Sequence, residues 1–119
     1  MLSLKNQISQ KELFEAFRVQ LAKDFEQCNL PAEFVPGLKP DYNSILERIT
    51  YELQRHEKKS DFNIMNLLYR VDISEAQLSR YLHENKGVNH LTVIAELIIK
   101  RVLQKVVMKR HYRSGENGQ

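Results

Sequence analysis

The side chains with the most capacity for chemistry lie near the C-terminus, where Lys100, Arg101, Lys105, Lys109, Arg110 and Arg113 follow one another with no acid between them. Closely spaced cations attract phosphate or anionic lipid. On a helix the same run also complements the partial negative charge of the last turns. Acids and bases balance over residues 1–59, so the second half carries the whole surplus of +3. Other chemistries have little to build on. Cys28 is the single cysteine, which excludes an intrachain disulfide. His56, His83, His90 and His111 share no metal-ligand spacing and read as solvated surface side chains, and the adjacent pairs His56-Glu57 and His83-Glu84 would point in different directions on a helix. Glu47, Glu52 and Glu57 stand beside Arg48, Arg55, Lys58 and Lys59, the pattern of a solvated face with local pairs. Neither a glycine-rich phosphate loop nor a nucleophile elbow occurs. No catalytic residue, metal or cofactor is therefore expected, and the expected function is non-enzymatic.

A second group of chemistry-bearing residues lies in the stretch Leu67-Leu68-Tyr69-Arg70-Val71-Asp72-Ile73-Ser74-Glu75-Ala76-Gln77-Leu78-Ser79-Arg80-Tyr81-Leu82. Ser74 and Gln77 have the spacing of a capping box that opens a short helix, with Leu78, Tyr81 and Leu82 turned inward. The stretch resembles the helix-turn-helix of bacterial DNA-binding regulators. Ile73 and Ser74 match that family's turn, and Leu78, Ser79, Arg80 and Leu82 match its recognition helix. Asp72 stands where the family has a turn glycine, and Leu68 where it has a small residue. The resemblance implies that Ser74, Glu75, Ala76, Ser79 and Arg80 meet nucleic acid, with Arg80 able to read a guanine through two hydrogen bonds. Lys100, Arg101, Lys105, Lys109, Arg110 and Arg113 would then hold phosphate. A looser likeness, over Asn66 to Glu75 and Ile98 to Lys105, is to small helical proteins of bacteria and implies no activity.

These residues need elements to position them. Four Gly and three Pro in 119 residues are too few for the frequent turns of an all-β domain, and the length suits one domain. Ser9-Gln10-Lys11-Glu12 has the spacing of a capping box, which predicts a helix with the buried stripe Phe14, Phe17, Leu21, Phe25 and Cys28. The prolines cluster from Pro31 to Pro40 in a connector whose Phe34, Val35 and Leu38 pack back onto the helices. A second helix carries Tyr42, Ile45, Leu46, Ile49 and Leu53. A third apolar segment runs from Phe62 to Val71, although Tyr69 to Ile73 also alternates as a strand would. Asn85-Lys86-Gly87 is a stop, with Gly87 suited to a left-handed helix ending.

Asn89 then caps a last helix running to about Tyr112, with Leu91, Ile94, Ala95, Ile98, Ile99, Val102 and Val106 on one face. Val93, Leu97, Leu103, Val107 and Met108 lie outside that stripe. A helix apolar on several sides is central in its bundle or shared with a second chain. The expectation is a homodimer or protein-partner seam at those five residues. Lys105 and Lys109 continue the line of the buried stripe, so the helix projects past the core or its lysines snorkel. Charges interrupt Leu91 to Met108, so no membrane span is expected, and the N-terminus lacks a leader's apolar core, so a cytoplasmic location is expected. The expected fold is all-α: a compact bundle of four or five helices with a long C-terminal helix over 1–113, then a polar tail over 114–119.

Overall fold

The computed structural model describes residues 4–57 and 64–117, with side chains over 5–57 and 64–110. Among them are six α-helices: α1 (Leu4–Ser9), α2 (Lys11–Gln27), α3 (Tyr42–His56), α4 (Ile64–Arg70), α5 (Glu75–Glu84) and α6 (His90–Asn117). A 3-10 turn at Val35–Gly37 sits in the proline connector. The expected all-helical bundle with a long last helix is what is found. No helix among the described residues is long and apolar enough to cross a membrane. Phe62 lies outside the described residues.

The helix beyond the expected number is α1. Ser9 closes it rather than opening α2: its hydroxyl donates to the Asn6 carbonyl at 2.9 Å, and Gln10 takes the extended backbone of the α2 N-cap without a side-chain cap. The reason is Ile8, which is 0% exposed and draws the turn before it onto α2 and α3. The stripe of α2 is buried as its spacing predicts, with Cys28 half-buried at its end. Burial raises the thiol's pKa above its ordinary value, against a smaller lowering from Arg70. In the connector Phe34, Val35 and Leu38 are buried, and Phe34 meets Phe25 edge-on at 5.3 Å.

Two helix ends are built alike, and neither uses glycine. At the end of α2 Asn29 takes φ 59°, while Leu30 N–H donates to the Phe25 carbonyl and Asn29 N–H to that of Glu26. At the end of α4 Asp72 takes φ 62°, while Ile73 N–H donates to the Leu68 carbonyl and Asp72 N–H to that of Tyr69. In both, the residue after the left-handed one and the helix residue it bonds are buried in the same core: Leu30 and Phe25, Ile73 and Leu68. This is the left-handed ending that satisfies orphan carbonyls. It rules out the strand alternative over Tyr69 to Ile73. The left-handed glycine expected at Gly87 is absent, since no described glycine has positive φ. Instead α5 ends at Asn85, whose amide donates to the Tyr81 carbonyl at 2.8 Å.

Helix α6 spans 28 residues, about 42 Å at 1.5 Å per residue. Asn89 starts it as expected, its side chain accepting from Leu91 N–H at 2.8 Å. Packing of α2, α3 and α5 against it covers most of the residues of the expected partner seam. Val93, Leu97 and Leu103 are 0%, 4% and 1% exposed, so this chain already covers them; Val107 is half-buried, and Met108 alone of the five is exposed, at 69%. At Val93, Leu97 and Leu103 the many-sided apolar surface is that of a central helix. The backbone over 114–117 continues α6, so the tail expected from 114 is helical through Asn117. Extending a helix fixes one residue per hydrogen bond gained, so it runs on readily.

The solvated face expected on α3 is also corrected. Glu52 and His56 are 3% and 6% exposed. With Ile45, Ile49 and Leu53 they fall at the spacing of a single buried stripe, so the helix turns them inward. Arg48 and Arg55 reach Glu52 at 3.0 and 3.4 Å and compensate its charge, while His56 Nε2 stands 3.8 Å from Glu52 without a hydrogen bond.

Candidate anion interface

The cations of α6 divide into two groups. Lys105 Nζ lies 3.1 Å from Asp24 Oδ2 and also donates to the Arg70 carbonyl at 3.4 Å. Asp24 is 0% exposed on α2 and receives Arg70 Nε at 3.3 Å and Gln20 Nε2 at 3.0 Å as well. One turn further on, Lys109 donates to the buried Gln20 Oε1 at 2.7 Å, and Arg110 pairs with Glu12 at 2.6 Å. These three cations, expected to hold phosphate, tie α6 to α2 instead, because α2 presents polar acceptors opposite them. Both lysines reach back from α6 to α2 with their ammonium groups. The side chain of Arg113 lies outside the described residues.

Lys100 and Arg101 belong to the second group, on the side of α6 that meets α5. There a cleft of ≈ 140 Å³ is lined by Ile73, Gln77, Arg80, Tyr81, Leu97, Lys100, Arg101 and Gln104. No carboxylate is in that lining. Lys100 Nζ donates to the Tyr81 hydroxyl at 3.3 Å and lies 5.6 Å from its ring centre. Arg101 donates to the Val71 carbonyl at 3.3 Å and to Gln104 Oε1 at 2.7 Å. Its second guanidinium nitrogen is 4.0 Å from Asp72, whose side chain is 69% exposed.

The turn between α4 and α5 sets the other wall. Val71 and Ile73 are buried and anchor it, and Asp72 turns the chain through positive φ. Ser74 then caps α5 in the capping box its spacing predicts: its hydroxyl accepts from Gln77 N–H at 3.1 Å, and Gln77 Oε1 accepts from Ser74 N–H at 3.0 Å. Leu78, Tyr81 and Leu82 are half-buried and no residue of α5 is fully buried. Ser74, Glu75, Ala76, Ser79 and Arg80 are all exposed.

Of the sequence-predicted contact residues, the fold thus brings Arg80, Lys100 and Arg101 to one cleft and leaves Ser74, Glu75 and Ser79 on the exposed side of α5. Sequence reasoning missed Gln77 as a lining residue, together with Tyr81 and Gln104. Their spacing on α5 and α6 carries no signal until the two helices are known to pack. Among the described residues no cluster of His, Cys, Asp and Glu is arranged to hold a metal. Compared with family models, curated proteins and solved structures, the chain matches none.

Proposed function

We propose that the chain is a non-enzymatic helical interaction module that presents α5 to an anionic partner, duplex nucleic acid being the class implied by the helix-turn-helix resemblance. The observation that carries this reading is the position of α5. A capping box fixes its start, its inner side is only half-buried, and the row Glu75, Ala76, Ser79 and Arg80 is open to solvent. Helix–turn–helix order over α4 and α5, with Asp72 in the conformation a turn glycine would adopt, supports the same reading. Lys100 and Arg101 flank Arg80 and add positive charge on that side. Self-association through α6 is no part of the proposal, since Val93, Leu97 and Leu103 are covered within the chain.

The test is fluorescence anisotropy with a labelled duplex at low and moderate salt. Binding that falls steeply with salt and weakens in Arg80→Ala is expected, because neutralised phosphates release counterions. Absence of duplex retention at low salt would overturn the reading.

A further inference from the structure

We propose that the cleft between α5 and α6 binds a single phosphoryl group, held by Arg80, Lys100 and Arg101. The inference names the ligand chemistry of the surface just described. It rests on that reading for the source of the phosphate and not for the cleft itself.

The polar side chains of the cleft differ in what they have left to offer a ligand. Gln77 Oε1 already accepts from Ser74 N–H and Gln104 Oε1 from the Arg101 guanidinium, and each amide has its NH₂ free to donate. The Tyr81 oxygen accepts from Lys100, which leaves the phenolic proton to donate. Lys100 and Arg101 keep further N–H groups after the bonds they make, and neither can accept. Arg80 is exposed with its whole guanidinium fork available. The cleft therefore presents donors around three positive charges, with no lining carboxylate. A cation is repelled by the three like charges, and a neutral ligand leaves those charges uncompensated. An ionised phosphate, which carries charge and several acceptor oxygens, matches every group.

Size narrows the ligand further. At ≈ 140 Å³ the cleft is well below the ~300–1,000 Å³ of sites for drug-sized ligands, and suits one phosphoryl group rather than a whole cofactor. Asp72 competes weakly for Arg101, being 4.0 Å away and mostly in solvent. Lys105 and Lys109 carry charge of the same sign but are held by the buried Asp24 and Gln20 of α2, which is why the cleft and not the helix end is the site.

The full chain is titrated with inorganic phosphate at constant ionic strength and followed by nitrogen-15 NMR, and a labelled duplex is titrated separately by anisotropy. Arg80→Gln and Lys100→Gln are compared with Lys23→Gln, which makes the same charge change at an exposed position of α2. Saturable shifts of the Gln77 and Gln104 side-chain amides are expected. Weakening of about tenfold in each cleft variant, the worth of one charge-assisted hydrogen bond, and none in Lys23→Gln, would support the site. If phosphate also displaces the duplex and the cleft variants weaken both ligands, the phosphate belongs to a nucleic-acid backbone. If phosphate saturates the cleft and no duplex is retained at low salt, the cleft stands, its source is a free phosphorylated compound, and the preceding reading falls. Duplex binding without saturable phosphate shifts, or cleft variants that behave like Lys23→Gln, overturns the cleft and leaves the preceding reading intact. Failure of both ligands overturns both.

Discussion

The basic run of α6 passes two regions that differ in what stands opposite its charges. Toward α2, Lys105 meets a carboxylate that is 0% exposed, with Arg70 on its other side and Gln20 beside it. Toward α5, Lys100 and Arg101 share a cleft with Arg80, a phenol and two amides whose oxygens already accept a hydrogen bond within the chain. The first region closes its electrostatics within the chain and reads as architecture. The second leaves like charges near one another, an arrangement that costs stability unless an outside anion joins it. Sequence proximity of the lysines and arginines therefore says little about common purpose; the facing helix assigns the role.

The largest expected effect breaks that comparison directly. Lys105→Met leaves Asp24 buried with one cation instead of two and is expected to destabilise the fold by about 3 kcal/mol. Lys100→Met loses one hydrogen bond and an aromatic contact and is expected to cost less than about 1 kcal/mol. Urea unfolding of the two variants checks this, and equal losses would erase the distinction between the regions. Combining Lys105→Met with Asp24→Leu removes the buried charge as well, and recovery of most of the loss is expected.

A smaller effect sharpens the account of the cleft. Ser74→Ala removes the α5 cap, at a cost of about 1 kcal/mol. It frees the Gln77 backbone N–H and loosens the turn against which the Gln77 side chain is held, so phosphate-induced shifts of the Gln77 amide are expected to shrink in the same sample. Unchanged shifts would show that the capping box does not order that wall. Smaller again is Asp72→Gly, which relieves a non-glycine residue at positive φ and is expected to stabilise by about 0.5 kcal/mol in thermal unfolding. It removes the carboxylate nearest Arg101 as well, so phosphate affinity is expected to rise, whereas Asn29→Gly at the twin ending is expected to change stability alone.

The smallest effect lies away from both regions and serves as their control. Asp41 caps α3, and hydrogen bonds from the Ser44 backbone and hydroxyl hold its carboxyl pKa below the ordinary value. A depressed carboxyl pKa gives stability that is present above about pH 4 and lost as pH falls through the depressed value. The stability difference between the chain and Asp41→Asn is expected to be constant near neutrality and to narrow in acid. A difference that widened below pH 4 would reverse the assigned direction.

Much of this was legible residue by residue. The stripes of α2 and α3, the inward packing of Phe34 and Leu38, the capping box at Ser74 and the cap at Asn89 all follow from local spacing, because a helix turns neighbours at fixed intervals toward one side. Glu52 and His56 were legible too, since they continue the Ile45, Ile49 and Leu53 stripe; their polarity argued for solvent and geometry prevailed. Ser9 was misread because its spacing to Glu12 fits a cap, while the burial of Ile8 that makes it a helix end depends on α2 and α3.

What the chain's order of residues determined by itself was helix content, the direction in which most side chains face, and the presence of a long apolar α6. It could not determine how many neighbours α6 would have. The apolar circumference that suggested a second chain at Val93, Leu97 and Leu103 is met by α2, α3 and α5 of the same chain. Nor could it pair Lys105 with Asp24 or bring Arg80 to Lys100 and Arg101. Those contacts join residues far apart along the chain, so they exist only once packing has brought their helices together, and packing alone decided which cations were spent and which stayed open.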